Sequence, residues 1–129
     1  MPIEHAAIWT ADLERLRAFY ERYLDARAGN RYENEATGFA SYFLEVGDGA
    51  RLELMQMASI PVSRDDPMAQ ATGLAHLAFA LGSQEAVDAL AARLAADGHR
   101  VVDGPRRTGD GYYEAAALDP DGNRIELTV

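Results

Sequence analysis

The sequence contains neither cysteine nor lysine. Without cysteine there are no disulfides, no thiolate metal sites and no cysteine nucleophile. The absence of lysine leaves arginine as the whole of the basic complement, and no functional inference attaches to that. Positive charge is scarce: 12 basic residues stand against 21 acidic ones, a formal net charge of −9. Such a surface repels phosphate backbones, so a nucleic-acid partner is not expected. No apolar run approaches the ~20 residues that span a bilayer, so no membrane is expected either. The start, Met1-Pro2-Ile3-Glu4-His5, has no basic region and no signal-like apolar stretch. What is present is ordinary globular composition, 129 residues with 48% hydrophobic and 26% charged, enough to bury a core without staples. The expectation is one acidic, soluble, cytoplasmic domain spanning residues 1–129.

The chain repeats itself. Asp48-Gly49-Ala50-Arg51-Leu52-Glu53-Leu54 recurs as Asp121-Gly122-Asn123-Arg124-Ile125-Glu126-Leu127, with five of seven positions identical. Upstream of each copy a histidine opens an apolar stretch, His5-Ala6-Ala7-Ile8-Trp9 and His76-Leu77-Ala78-Phe79-Ala80. The histidine precedes the glutamate by 48 residues in the first copy and by 50 in the second. Two matches in one order at nearly one separation imply two homologous modules, about residues 3–57 and 74–129. Between them, residues 58–73 hold Pro61, Pro67 and the charge cluster Arg64-Asp65-Asp66, a surface linker long enough to act as a lid.

Each module reads as strand, helix and three strands. In the first, residues 3–10 are extended, and Thr10 or Asp12 caps a helix whose apolar positions Leu13, Leu16, Tyr20, Tyr23 and Leu24 keep the helical period. Strands follow at 28–33, 40–46 and 51–57, the last two joined by a Gly47-Asp48-Gly49 hairpin. In the second, residues 74–81 are extended and Ser83 starts a helix with Val87, Leu90 and Leu94 as its buried stripe. Gly98 stops that helix, and strands follow at 100–103, 112–118 and 124–129. The fold class is α+β, two tandem βαβββ modules forming a curved, cup-like mixed sheet with helices outside.

Strand alternation then sorts the polar groups. Leu52 and Leu54, Ile125 and Leu127, and Leu77 and Phe79 form greasy faces for helices to cover. His5, Glu53, His76 and Glu126 fall on the opposite faces, beside the small residues Ala7, Ala78 and Ala80. If the modules curve toward each other, the four side chains converge. Two carboxylates neutralise a divalent cation and two imidazoles supply nitrogen donors, a set suited to Ni²⁺, Co²⁺, Mn²⁺, Fe²⁺ or Zn²⁺. His99 has no repeat behind it and is expected at the solvent-facing surface.

The whole chain resembles the vicinal oxygen chelate superfamily, the group of glyoxalase I, bleomycin-resistance proteins and extradiol dioxygenases. The resemblance rests on His5-Ala-Ala-Ile-Trp9 followed by Phe19-Tyr20, on Arg51-Leu52-Glu53-Leu54, on Gly73-Leu74-Ala75-His76-Leu77-Ala78-Phe79, and on Asp119-Pro120-Asp121-Gly122-Asn123-Arg124-Ile125-Glu126. It implies that His5, Glu53, His76 and Glu126 are metal ligands. Two histidines with two glutamates look most like the short bacterial glyoxalase I, which favours nickel or cobalt over zinc. The implied reaction converts a 2-oxoaldehyde–thiol hemithioacetal into a 2-hydroxyacyl thioester through a metal-stabilised enediolate. The resemblance assigns the base to Glu126, with Glu53 the alternative by pseudosymmetry. Trp9, Met55, Met57, Arg107 and Tyr113 are candidate substrate-pocket residues, and Arg51, Arg107 and Arg124 candidate anchors for a thiol cofactor such as glutathione. A homodimer is implied. A methylmalonyl-CoA epimerase-like enzyme and a non-catalytic antibiotic-binding protein share the fold and are the alternatives.

Overall fold

Both helices begin at a side chain that replaces a missing backbone partner. In the computed structural model, which describes every residue from Met1 to Val129, Asp12 caps α1 (Leu13–Leu24) by accepting from the Arg15 amide at 3.0 Å. Thr10, the other expected cap, accepts from the Asp12 amide instead. The side chain of Gln56 accepts from Leu13 N–H at 2.7 Å, tying the start of the helix to the sheet beneath it. Ser83 caps α2 (Gln84–Ala96) through the Ala86 amide at 3.1 Å. Gly98, at φ 88°, turns the chain out of that helix through the left-handed region. The buried face of α1 holds the five expected residues and also Phe19. That of α2 is Val87, Ala91 and Leu94; Leu90 is only half-buried, because Ala91 completes the i, i+4, i+7 row.

The chain divides into two compact units, Met1–Arg64 and Asp65–Val129. The boundary lies within residues 58–73, which carry neither helix nor strand. The first unit has β1 (His5–Trp9), β2 (Arg27–Ala28), β3 (Tyr32–Asn34), β4 (Phe39–Glu45) and β5 (Arg51–Gln56). Its sheet runs β1-β5-β4-β2, with β3 also on β4; β1 pairs parallel to β5 and the other pairs are antiparallel. The expected single strand at 28–33 is two short ones. Gly29 to Arg31 leave the ladder, although the Gly29 amide still donates to the Phe43 carbonyl at 2.9 Å. Leu52, Leu54, Ala40 and Leu44 are buried on the side that α1 covers.

The second unit has β6 (Leu77–Ala80), β7 (Val101–Arg107), β8 (Tyr113–Leu118) and β9 (Arg124–Thr128), in sheet order β6-β9-β8-β7 with β6 parallel to β9. Strand β7 runs beyond the expected end at Asp103, and does so irregularly, with two register shifts against β8 around a cis Gly104–Pro105 bond. A Cβ at Gly104 would lie 2.5 Å from the Glu114 carbonyl oxygen, so only glycine fits there. Val87 and Leu94 pack over the buried Ala115, Ala117, Ile125 and Leu127. Each unit therefore has one helix on one face of its own mixed sheet, the expected α+β architecture. No helix is long and apolar enough to cross a membrane.

Candidate functional site

The strand periodicity places a histidine and a glutamate together on the helix-free face of each sheet. In the first unit Ala7 is registered with Glu53, and His5 lies two residues away on the same edge strand. His5 Nε2 is 3.7 Å from Glu53 Oε2. In the second unit His76 stands one residue before β6, Ala78 is registered with Glu126, and His76 Nε2 is 3.3 Å from Glu126 Oε2. Both histidine side chains are 38% exposed, and the two glutamates are 16% and 18% exposed. Both carboxylates are partly withdrawn from water, each with one imidazole nitrogen within 4 Å.

The donor chemistry fits a divalent cation. Each nitrogen–oxygen gap can be bridged by one ion with bonds of about 2.0–2.2 Å. The donors come as pairs: no three or more such side chains are grouped closely enough to hold an ion. A single pair offers fewer protein ligands than the three or four of a stable centre.

The surroundings of the two pairs differ. His5 Nδ1 contacts the carboxylate of Glu4, which also pairs with Arg51. These contacts hold the Glu4 carboxyl below its ordinary pKa, the His5 bond being the larger cause and the Arg51 bond the next. The His5 ring meets the Phe43 ring edge-on at 5.3 Å, and the Arg51 guanidinium lies 4.4 Å above the same ring. Glu126 instead neighbours Glu114 of β8. Burial first, and then the charge of Glu126, raises the Glu114 pKa above the carboxylate norm. On β7 Arg106 holds Asp103 at 2.7 Å.

Beside Glu53 the first sheet has a cavity of about 430 Å³. Phe39, Ser41 and Phe43, alternate residues of β4, line it together with Glu53, and Gly29, Asn30 and Tyr32 complete the lining. The alternation of residues 40–46 sets Ser41 and Phe43 on this face, but nothing in the sequence pattern marks it for a function. Glu4 and Glu114 were also missed; neither belongs to the repeat.

The candidate pocket residues lie in several places. Trp9 and Met55 are registered with each other on the helix-free face of the first sheet, and Trp9 packs edge-on against Phe39 at 6.1 Å. Met57 follows β5 and is half-buried. Tyr113 shares the side of β8 that carries Ala115 and Ala117, donating to Asp88 of α2 at 2.6 Å, so it turns away from Glu126. Arg107 lies 6.0 Å from the Tyr113 ring and donates to the Gly111 carbonyl. Arg124 is half-buried at the start of β9. His99, expected at the surface, is half-buried because its amide closes the turn after α2 onto Leu94 O.

Comparison with known families places the duplicated helix-on-sheet unit. The chain belongs to the Glyoxalase/Bleomycin resistance protein/Dioxygenase superfamily, whose family model matches residues 2–127. An uncharacterized protein of Bacillus subtilis strain 168, YqjT, is 30% identical over 130 residues, 98% of each chain. A glyoxylase/bleomycin resistance protein/dioxygenase domain from Frankia superposes with a TM-score of 0.83 at 21% identity, covering 100% of this chain and 97% of that one. The trypanothione-dependent glyoxalase I of Leishmania major superposes at 0.79 with 22% identity, covering 99% and 86%. At that identity the two structures establish the shared fold. The superfamily includes enzymes such as glyoxalase I, and its members typically use divalent metals.

Proposed function

We propose that the protein is a metal-dependent glyoxalase I-like lyase that isomerises the hemithioacetal of a 2-oxoaldehyde and a thiol, such as glutathione, to a 2-hydroxyacyl thioester. The observation that carries this reading is the duplicated His–Glu pair, with donor atoms 3.7 Å apart on one sheet and 3.3 Å apart on the other. His5, Glu53, His76 and Glu126 would hold one divalent ion, nickel or cobalt ahead of zinc, manganese or iron. Bound there, the ion would supply Lewis-acid charge to stabilise negative charge developing on the substrate.

The residues of the chain do the rest. Glu126 takes the carbon-bound proton and delivers it to the neighbouring carbon, with Glu53 as the pseudosymmetric alternative. One C–H bond breaks and another forms, so no external oxidant or reductant is needed. Glu4 and Phe43 hold the His5 ring with Nε2 toward Glu53, the support that metal-binding imidazoles commonly receive. A role in methylglyoxal detoxification as a cytoplasmic homodimer belongs to the same proposal.

The test is turnover by protein stripped of metal and reloaded separately with Ni²⁺, Co²⁺, Mn²⁺ or Zn²⁺. Methylglyoxal with glutathione should yield thioester, followed by its absorbance. Absence of product with every metal and every thiol tried would overturn the proposal. Deuterium exchange into methylmalonyl-CoA without thioester formation would replace it with the epimerase reading.

A further inference from the structure

The repeat sets one arginine beside each histidine, and the chain supplies a counter-carboxylate to only one of them. In the first unit Arg51 is registered with His5 of β1. Its guanidinium lies 4.4 Å above the Phe43 ring and pairs with Oε1 of Glu4, while Oε2 of the same carboxylate contacts His5 Nδ1. Glu4 thus bridges cation and imidazole, one oxygen to each.

In the second unit the bridge lacks its middle. Arg124 is the repeat counterpart of Arg51, and continuing the register of Leu77 with Ile125 sets His76 level with it. Arg124 lies two residues before Glu126 on β9, hence on the same helix-free face. Ala75 stands where the first unit has Glu4, and Ala116 where it has Phe43. Arg124 is half-buried and makes no hydrogen bond, ion pair or ring contact within the chain. Asp103 feels its charge, but that carboxylate is committed to Arg106 by three hydrogen bonds of 2.7–3.1 Å. His76 Nε2 faces Glu126 at 3.3 Å, and Nδ1 has no partner. A guanidinium and an imidazole N–H side by side suit a planar two-oxygen anion, which forms charge-assisted hydrogen bonds to both.

We infer that the second unit binds a small organic acid whose carboxylate takes the place that Glu4 fills in the first, one oxygen on the Arg124 guanidinium and the other on His76 Nδ1. A bound acid then braces His76 as Glu4 braces His5. Coupling of that acid to an ion on Nε2 rests on the proposed role of His76 as a metal ligand, whereas the acid site itself does not.

Side-chain NMR of the three histidines in metal-free protein reads the site directly. At constant pH and ionic strength, acetate should shift the His76 resonances saturably and leave those of His5 and His99 unmoved. Acetamide, of the same shape without the charge, should shift none. Arg124→Gln should weaken acetate binding about 10-fold or more, the worth of a charge-assisted hydrogen bond. Ala75→Glu supplies the missing carboxylate from the chain at an exposed position, so it should abolish acetate binding with the fold intact. Glu4→Ala should do the converse and let acetate shift His5. An equal response to acetamide, acetate binding that survives both Arg124→Gln and Ala75→Glu, or phosphate bound in preference to acetate would each overturn the inference. In chelator competition acetate should tighten metal binding by the native protein and not by Arg124→Gln. Acetate binding without that tightening would remove the metal role of His76 alone. Metal-dependent turnover without acetate binding would remove the acid site alone.

Discussion

On the first sheet, β4 sets Phe43 opposite Glu53 and Ser41 two residues further along the same face. On the second, β8 sets Ala116 opposite Glu126 and Glu114 two residues further. The same donor pair thus stands beside an aromatic slot in one unit and beside another carboxylate in the other. Duplication preserved the residues able to grip an ion and let their neighbours diverge. Phe39 and Phe43 stand on one side, the neighbouring carboxylates Glu114 and Glu126 on the other. On the proposed function, equivalent substitutions in the two units should have unequal consequences.

The largest separation should come from the paired glutamates. Glu126→Gln should lower turnover by about 10²–10⁴-fold, the usual worth of a positioned general base, while much of the metal stays bound. Glu53→Gln should act mainly on metal retention. Elemental analysis alongside single-turnover rates distinguishes these outcomes, and the reverse pattern would move the base to the first unit. Glu4→Gln comes next. His5 has Glu4 against its ring, whereas the residue before His76 is Ala75. Removing that support should weaken metal binding by about 10-fold in chelator competition; an unchanged affinity would leave Phe43 as the only orienting contact that matters.

The caps sharpen the comparison on the structural side. Ser83→Ala should cost about 1 kcal/mol in a denaturant titration. Asp12→Ala should cost less, because Gln56 still binds the first turn of α1. The smallest effect belongs to Tyr113. Its hydrogen bond to Asp88, then its burial, raise its pKa above the ordinary 10.0. The folded state therefore keeps this proton to higher pH than the unfolded chain. The stabilisation is complete below about pH 10 and is lost as pH rises through the folded value. A difference titration of Tyr113→Phe by tyrosinate absorbance should lack one late-ionising phenol.

The fold was legible because periodicity and punctuation agreed. The stripe from Leu13 to Leu24, the cap at Ser83 and the Gly47-Asp48-Gly49 turn each specify one local structure. The His–Glu pairs were legible for another reason: a repeat doubles a signal that either copy alone would lose among ordinary polar strand residues. Boundaries failed where tertiary contacts overruled local pattern. The expected strand at 28–33 is broken at Gly29, and β7 runs on past Asp103 with slipped register against β8. Tyr113 could not be placed by composition, since the side of β8 it takes depends on the partner it finds in Asp88. Phe39, Ser41 and Phe43 passed unnoticed because an alternating strand looks the same whether its second face meets solvent, a ligand or another chain.

Strand β1 is an edge strand whose only ladder partner is β5, and its register joins His5 to Arg51 and Ala7 to Glu53 across most of the first unit. β6 stands in the same position relative to β9. Parallel pairing over such a span closes a large loop before it returns any enthalpy, so these ladders are expected to form late in folding and open early in native fluctuations. His5 rides on β1 and His76 stands one residue before β6, while both glutamates sit on strands flanked on either side. Amide exchange should accordingly be fastest beside the imidazoles and slowest beside the carboxylates, and any ligand that ties the two together would act as a latch on the least secure hydrogen bonds of each sheet.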